Sequence, residues 1–274
     1  MVYHRNSGKN VSYVERRQAT PAQINTITAV IGGSGLAKLS GLEIKERQVI
    51  RTPYGEPSSP MLSGFLEGEP VLFLARHGHG HTIPPHQVNY RANIWALKHL
   101  GIQNIVAVGA VGAINTGFTN GLLIIPDQLI DYTYSRLHTF YDGESKRVNH
   151  VDFTNPYTPK LRELIVSHGL ENDMALIDRA TYAVVQGPRL ETAAEIRRFK
   201  NDGADLVGMT SMPEAGLARE MGINYALIAL VVNSAAGLES TQLDEKGIFA
   251  TIEKHKHKVI ELISCSLPFI NQLN

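Results

Sequence analysis

The sequence predicts an α/β fold whose central sheet is largely parallel, because strand patterns alternate with helical patterns along the chain. Several strand patterns are continuous apolar runs, which are typical of strands covered on both faces. The 274 residues are 43% hydrophobic and 19% charged, and this composition excludes collagen-like, disordered and disulfide-scaffold proteins. No repeat, low-complexity tract or linker follows residue 26, so we expect a single domain over residues 26–274.

The elements follow one another in chain order. Residues 1–25 are polar with little periodicity, so we expect an arm that is either disordered or borrowed by a neighbouring subunit. After this arm, apolar runs predict strands at 27–31, 70–75, 104–111, 122–130, 181–185 and 225–232. Helical periodicity predicts helices at 89–100, 158–168, 191–201, 213–221 and 244–267. Gly101, Gly169 and Gly222 stand where helix C-caps are expected.

Charge and cysteine content narrow the class of protein. Lys plus Arg equals Asp plus Glu at 26 each, so no field of one sign draws the chain onto nucleic acid or an anionic membrane. Cys265 is the single cysteine, which excludes an intramolecular disulfide and a cysteine-based zinc cluster. No apolar run approaches the roughly 20 residues of a membrane helix, and the first residues do not resemble a secretory signal. We therefore expect a cytoplasmic protein.

Ligands of open α/β sheets bind beyond the carboxyl ends of strands, and two early loops there carry polar groups. The turn 32–35 after the first strand has three glycines and Ser34, so its N–H groups and hydroxyl could meet an anion, although a simple tight turn fits equally. The loop after residue 75 offers the N–H donors of Arg76, His77 and His81, which suit phosphate or carboxylate. His-x-His spacing also allows zinc, but the adjacent arginine repels cations, and His79 and His86 are expected to be structural or solvated.

Two later loops carry polar groups suited to a heterocycle. Glu191 lies near the start of the third predicted helix, where it could stabilise the helix dipole by about 0.3–1 kcal/mol or accept N–H donors from a ligand. Asn233 leaves the last buried strand and must find partners for its donor and its acceptor. It could cap a turn or bind the edge of a heterocycle.

Taken in this order, the motifs resemble the trimeric branch of the purine nucleoside phosphorylases, and within it the methylthioadenosine/methylthioinosine phosphorylases. The resemblance runs from about residue 27 to the last helix and leaves out the N-terminal arm. It rests on IGGSGL (31–36), TPYGEPS (52–58), LARHGHGHTIPP (74–85), VNYRANIWALK (88–98), FYDG (140–143), GPRLETAAE (187–195), GMTSMPE (208–214) and ALIALVVN (226–233).

The resemblance implies a mixed sheet flanked by helices and a homotrimer with active sites at the subunit interfaces. It implies reversible phosphorolysis, in which phosphate attacks C1′ of a nucleoside and releases the purine. No metal or organic cofactor is expected, and inorganic phosphate is a co-substrate. The family's phosphate ligands match Ser34, Arg76, His77, the backbone of Gly109 and Ala110, and Thr210, while Met209 and Tyr90 match positions along the sugar.

The same resemblance bears on the purine. Asn233 occupies the position of the catalytic group that stabilises negative charge on the purine N7/O6 edge. Enzymes that cleave 6-aminopurines carry aspartate there and again two residues later, where this chain has Ala235. Glu191, next to Leu190, matches the inosine/guanosine enzymes and can accept N1–H of a 6-oxopurine. A polar mismatch of this kind can discriminate by about 10⁴, so we expect hypoxanthine-type nucleosides.

The group at C5′ is addressed by residues near the last helix. Ile248 and Phe249 could pack against a methylthio group, whereas Glu245 stands where the methylthio enzymes tend to be apolar. His150 matches a residue that reaches the 5′ pocket from the neighbouring subunit. S-methyl-5′-thioinosine is therefore the favoured substrate, ahead of inosine and guanosine and then methylthioadenosine.

Two other classes of protein remain as alternatives. A dinucleotide-binding oxidoreductase would use the turn at 32–35, but the GxGxxG spacing and an acidic residue about 20 positions on are missing. A non-catalytic nucleoside-binding or structural trimer would keep the fold without turnover, and phosphate-dependent purine release would exclude it.

Overall fold

The computed structural model describes residues 27–36, 38–143, 148–239 and 244–273. Groups of one to four strands alternate with helices along these ranges. The strands are β1 (Thr28–Gly32), β2 (Glu43–Gln48), β3 (Met61–Leu66), β4 (Glu69–Ala75), β5 (Asn104–Ala113), β6 (Leu123–Ile124), β7 (Gln128–Asp131), β8 (Leu176–Ile177), β9 (Thr181–Val184), β10 (Leu206–Gly208) and β11 (Asn224–Ser234). The helices are α1 (Tyr90–His99), α2 (Pro159–Glu171), α3 (Ala193–Asn201), α4 (Ser211–Glu220) and α5 (Glu245–Ile270), with a 3₁₀ turn at Pro85–Gln87.

The long strand β5 organises a mixed sheet. It pairs in parallel with β1 along its first half and with β11 along its whole length, and its last residues pair antiparallel with β10. The order is β2-β3-β4-β1-β5-β10-β9-β7, and β11 leads from β5 to β6 and β8. The predicted fold class, a single α/β domain with a mixed sheet flanked by helices, is confirmed.

The two faces of the sheet are covered by different helices, which explains the continuous apolar strands. Successive residues of β1 alternate between two hydrophobic clusters, with Ala29 and Ile31 in one and Val30 in the other. The first cluster includes buried residues of α1 and α4, and the second includes those of α2 and α5. A strand buried on both faces favours a continuous run of apolar side chains, as residues 29–31 of β1 and 225–232 of β11 show.

Several short or polar strands depart from the prediction. The predicted strand at 122–130 is two strands, β6 and β7, which pair with different partners, β11 and β9. Pro126 lies between them and cannot donate to a ladder. The strands β2, β3, β8 and β10 were not predicted from the sequence. Of these, β2 is an edge strand whose side chains are mostly exposed, so it carries no apolar run.

Two of the three predicted glycine caps fit the structure. Gly101 and Gly222 follow the ends of α1 and α4 with φ of +84° and +63°, a conformation that favours glycine. The prediction for Gly169 is wrong, because α2 continues to Glu171. A Cβ atom at Gly169 would lie 2.4 Å from Leu176 and 2.8 Å from Leu262, so this glycine allows close packing of α2.

No helix among the described residues is long and apolar enough to cross a membrane.

Candidate active site

A cavity of about 530 Å³ opens where β1, β4, β5, β10 and β11 end or pass. The loop 81–85, the loop 188–191 and the first turn of α5 complete its wall. The sequence-predicted residues that line it are Ser34, Arg76, His77, Gly109, Ala110, Leu190, Glu191, Met209, Thr210, Asn233, Glu245 and Ile248. Residues far apart in sequence thus meet at the carboxyl edge of the sheet, as expected for an α/β fold.

The glycine turn after β1 packs against β5 and places Ser34 in the cavity wall. Leu36 N–H donates to the Gly33 carbonyl at 3.0 Å, and Gly35 has φ of +76°, so the turn needs glycine there. A Cβ atom at Gly33 would lie 2.6 Å from the Val108 carbonyl oxygen and 3.1 Å from Arg76 Nη1. Glycine at position 33 therefore lets the turn pack closely against the middle of β5 and against Arg76 after β4, and Ser34 lines the cavity beside it.

Arg76 is fully buried beside the cavity and is held by a carboxylate that the sequence analysis did not identify. Its Nε and Nη2 each donate to Glu214 at 2.7 Å, and Nη1 donates to the Val108 carbonyl at 2.9 Å. Burial alone would lower the pKa of Arg76, but the paired Glu214 outweighs it and holds the pKa above its ordinary value. A guanidinium has five N–H bonds, so two remain for an anion.

Glu214 itself has no exposed surface and lies on α4. Its Oε1 also accepts a hydrogen bond from the Tyr225 hydroxyl at 2.9 Å. A buried charge is stable only when paired and hydrogen-bonded, and Glu214 supplies this for Arg76 across 138 positions of sequence. Glu214 is the last residue of the GMTSMPE motif, but no local sequence pattern indicates that it pairs with Arg76.

His77 presents an acceptor to the cavity rather than the donor expected from the sequence. Its Nδ1 lies 2.8 Å from the Ile83 carbonyl oxygen, which can only accept, so Nδ1 carries a proton. Burial and the neighbouring Arg76 charge lower the pKa of His77 to about 4. At neutral pH the ring is therefore neutral, and its Nε2 can accept the hydroxyl proton of hydrogen phosphate.

Thr210 lies near β5 at the end of the cavity that also holds Arg76 and His77. It is buried, and its hydroxyl does not cap α4, although it occupies the N-cap position. A Cβ atom at Gly109 would lie 3.7 Å from Thr210 Oγ1. The hydroxyl therefore lies beside the backbone of β5 at Gly109, where it can donate to a small anion bound in the cavity.

A β-bulge aims Asn233 into the other end of the cavity. The pairing of β11 with β5 shifts between Val231 and Asn233, and such shifts re-aim side chains next to sites. The Asn233 side-chain nitrogen donates to the Ser234 carbonyl at 2.7 Å and lies 3.1 Å from where a Cβ of Gly112 would be. One N–H and the amide oxygen are left for a ligand.

Glu191 is not the N-cap of the third helix and lines the cavity. The N-cap of α3 is Thr192, in a capping box with Glu195. Glu195 also pairs with both guanidinium nitrogens of Arg189 at 2.7 and 2.8 Å, which fixes the loop. Glu191 instead lines the cavity, where burial raises the pKa of its carboxyl.

The remaining wall of the cavity mixes apolar and polar groups. Ile248 and Phe249 come from the first turns of α5, and the Phe249 ring meets the His81 ring edge-on at 5.8 Å. Glu245, the first residue of α5, is exposed at the rim. The helix starts here because the Asp244 side chain accepts from Gly247 N–H at 2.6 Å.

Three predicted site residues do not line the cavity. Tyr90 is buried behind its wall, where its hydroxyl donates to the Pro85 carbonyl at 2.9 Å. Ala235 is only 2% exposed and packs in a small apolar cluster with Val207. His150 is exposed on the surface of this chain. Within the described ranges, no three His, Cys, Asp or Glu side chains are placed to share a metal ion, and His79 is exposed.

Comparison with known proteins identifies the family. Residues 28–264 match the phosphorylase superfamily. The chain belongs to this superfamily. The recognised resemblance to nucleoside phosphorylases is thereby confirmed.

Relatives of this phosphorylase carry related names. It is 52% identical over 212 residues, 77% of this chain and 86% of the relative, to a probable S-methyl-5′-thioinosine phosphorylase from Pseudomonas syringae. It is 44% identical to the 6-oxopurine nucleoside phosphorylase of Pyrococcus furiosus, over 88% of this chain and 92% of that protein. The structure of methylthioadenosine phosphorylase from Schistosoma mansoni in complex with adenine superposes with a TM-score of 0.87 at 29% identity, covering 91% of this chain and 93% of that one.

Proposed function

We propose that this phosphorylase catalyses phosphorolysis of 6-oxopurine nucleosides. A phosphate oxygen forms a bond to C1′ of the sugar while the bond from C1′ to the purine N9 breaks. The purine leaves with the bonding electron pair and takes up a proton, and the sugar becomes a 1-phosphate. The bacterial and archaeal relatives named for thioinosine and 6-oxopurine substrates support this reaction class.

The observation that carries the proposal is the presence of Glu191 and Asn233 in one cavity. A 6-oxopurine has an N1–H donor and an O6 acceptor, which a carboxylate and an amide N–H complement. Adenine has neither, so Glu191 would lose water without gaining a partner. A site built to bind a polar edge rejects a ligand that lacks it by about 10⁴-fold or more.

Asn233 also takes the catalytic role. As the glycosidic bond breaks, negative charge develops on the purine ring. The N–H of Asn233 not used by Ser234 donates to the N7/O6 edge and stabilises that charge. A preorganised donor of this kind can contribute about 3–4 kcal/mol to lowering the barrier.

The opposite end of the cavity holds the co-substrate. Ser34, Thr210 and the backbone at Gly109 and Ala110 donate to hydrogen phosphate, and Arg76 contributes its two unused N–H bonds. His77 accepts the phosphate hydroxyl proton. Fixing the second reactant below the sugar, along which Met209 lies, removes part of the entropic barrier. No metal or organic cofactor takes part.

At the sugar C5′ position we favour a methylthio group, because Ile248 and Phe249 form an apolar wall. S-methyl-5′-thioinosine then gives hypoxanthine and 5-methylthioribose 1-phosphate. Glu245 at the rim favours a second candidate, inosine or guanosine, whose 5′-hydroxyl could donate to it. Methylthioadenosine ranks below both, because its adenine lacks the N1–H donor and the O6 acceptor that Glu191 and Asn233 complement.

The active unit is a homotrimer in the cytoplasm, formed by the domain at 26–274, and it needs neither nucleic acid nor membrane. Tyr134, Leu137 and Val148 are 68%, 67% and 62% exposed, and exposed apolar side chains of this kind suit a subunit contact. His150, two residues after Val148, is exposed and reaches the 5′ pocket of the neighbour in this assembly.

Purine release tests the proposal directly. S-methyl-5′-thioinosine, inosine and guanosine are incubated with and without phosphate, and free purine and sugar 1-phosphate are quantified. We expect release only with phosphate, fastest for the methylthio compound. Preference for inosine and guanosine, lost in Glu245→Leu, would favour the second candidate. No release from any of the three would refute the proposed function.

A further inference from the structure

Arg136 lies outside the cavity lining, yet it joins two of the loops that line the cavity. It is only 6% exposed. Its Nη2 donates to the carbonyls of Val185 at 3.1 Å and Gln186 at 2.8 Å, at the end of β9. Its Nη1 donates to the carbonyls of Met209 at 2.9 Å and Met212 at 2.5 Å, beyond β10.

The guanidinium of Arg136 is held by neutral groups. Besides the four carbonyls, it donates to the Gln186 side-chain oxygen at 3.1 Å and to the Tyr90 hydroxyl at 3.3 Å. It also stands 5.5 Å from the centre of the Tyr90 ring. Among the described residues Arg136 forms no ion pair with a carboxylate. A buried cation is costly, so this one is stable only while both loops keep their carbonyls turned towards it.

The loops joined by Arg136 have different tasks in the proposed reaction. The first runs from Gln186 to Glu191, which binds the base. The second contains Met209 and Thr210, which face the sugar and phosphate. One planar, forked group with five N–H bonds thus sets the position of the purine-binding carboxylate relative to the phosphate-binding hydroxyl.

We propose that Arg136 is a positioning residue that aligns the base-binding loop with the sugar- and phosphate-binding loop. This inference rests on the proposed function, because it assigns the two loops to the two reactants. Lysine cannot replace the guanidinium, since an ammonium group is a compact point charge without the planar fork. In Arg136→Lys the two loops would keep a cation between them but lose the single group that donates to carbonyls of both.

The test compares Arg136→Lys with a matched control. Arg162 likewise donates to main-chain carbonyls of separate segments, those of Ile125, Pro126 and Asp178, and lines no part of the cavity. Misplacement of catalytic groups by about 1 Å can cost about 100-fold. We expect kcat/KM of Arg136→Lys to fall by about that factor, with kcat carrying most of the loss. Arg162→Lys should lose stability but keep its kinetic constants.

Two further measurements test the inference beyond the loss of activity in Arg136→Lys. Arg136→Ala assayed with added guanidinium ion should regain part of its kcat, whereas Arg162→Ala should not respond. Hydrogen–deuterium exchange should become faster in both 185–191 and 209–212 of Arg136→Lys. The inference is overturned if folded Arg136→Lys keeps wild-type kcat/KM, or if exchange changes in neither segment. If the wild-type protein releases no purine, the proposed function fails, and the exchange experiment alone decides whether Arg136 couples the loops.

Discussion

Replacing Glu214 by glutamine would separate the stabilising role of the buried ion pair from its role in phosphate binding. Arg76 and Glu214 are both fully buried and joined by two hydrogen bonds of 2.7 Å. Glutamine keeps the shape but turns an NH₂ group towards a donor and leaves the guanidinium charge unpaired. Removing one partner of a buried pair costs about 3–5 kcal/mol, a large share of a typical stability of about 5–15 kcal/mol.

The assay has a stability part and a kinetic part. Urea unfolding gives the change in free energy, and initial rates at varied phosphate give KM for phosphate. Because Arg76 loses the group that orients it, we expect a loss worth about one charge-assisted hydrogen bond, 1.5–3 kcal/mol. KM for phosphate should therefore rise at least about tenfold.

The control variant lies on the same helix. Glu220 accepts from the Thr139 hydroxyl at 2.6 Å and from Phe140 N–H at 2.8 Å, and no cation pairs with it among the described residues. Glu220→Gln should cost about 1 kcal/mol and leave KM for phosphate unchanged. The reasoning is refuted if Glu214→Gln destabilises the protein no more than Glu220→Gln does and KM for phosphate stays the same in both.

A double variant separates stability from binding further. Replacing a buried ion pair by uncharged groups is often neutral, so Arg76→Met combined with Glu214→Gln should be more stable than Glu214→Gln alone. The introduced glutamine could still accept from the Tyr225 hydroxyl. The double variant should nevertheless fail to use phosphate, because the guanidinium is gone.

Three other predictions concern the polar groups of the cavity. Burial raises the pKa of Glu191 above its ordinary 4.5, so KM for inosine should rise on acidification as the carboxyl protonates and stops accepting N1–H. The variant Glu191→Gln should flatten this pH dependence of KM. An unchanged pH dependence in the variant would contradict the role of Glu191 in binding the base. The pKa of His77 is about 4 in the folded protein against 6.5 ordinarily, so the unfolded chain binds more protons than the folded chain between these two pH values. Lowering the pH from about 7 to 4 should therefore remove up to about 3 kcal/mol of stability. The urea midpoint of His77→Gln should fall less with decreasing pH than that of the wild-type protein, and an equal pH dependence of the two midpoints would contradict this prediction. The double variant Asn233→Asp with Glu191→Ser should shift the ratio of 6-aminopurine to 6-oxopurine cleavage by at least about 100-fold, and an unchanged ratio would refute the base assignment. Adding Ala235→Asp should mainly destabilise the folded protein, because that position is 2% exposed.

Local sequence patterns predict most of the fold and many of the residues that line the cavity. The apolar runs of β1, β4, β5, β9 and β11 are visible because burial on both faces demands them. The edge strand β2 is invisible because one exposed face relaxes that demand, and Pro126 divides a run that appears continuous. The turn glycines and strand-end loops lead to Ser34 and Asn233 because a parallel sheet places such loops at one edge.

Partners that lie far apart in sequence could not be predicted in this way. Glu214 is recognised only once α4 brings it to Arg76, and Arg136 only once two loops turn their carbonyls towards it. The depth of Ala235 and the proton position of His77 likewise depend on contacts with other segments. These features arise from packing, which local periodicity does not encode.

The most direct test of the account compares two nucleosides that differ only at C6 of the purine. Phosphate-dependent kcat/KM is measured for S-methyl-5′-thioinosine and for methylthioadenosine with the wild-type protein. Because Glu191 and Asn233 complement N1–H and O6, we predict a preference of roughly 10⁴ or more for the 6-oxopurine. Equal or faster cleavage of methylthioadenosine would contradict it.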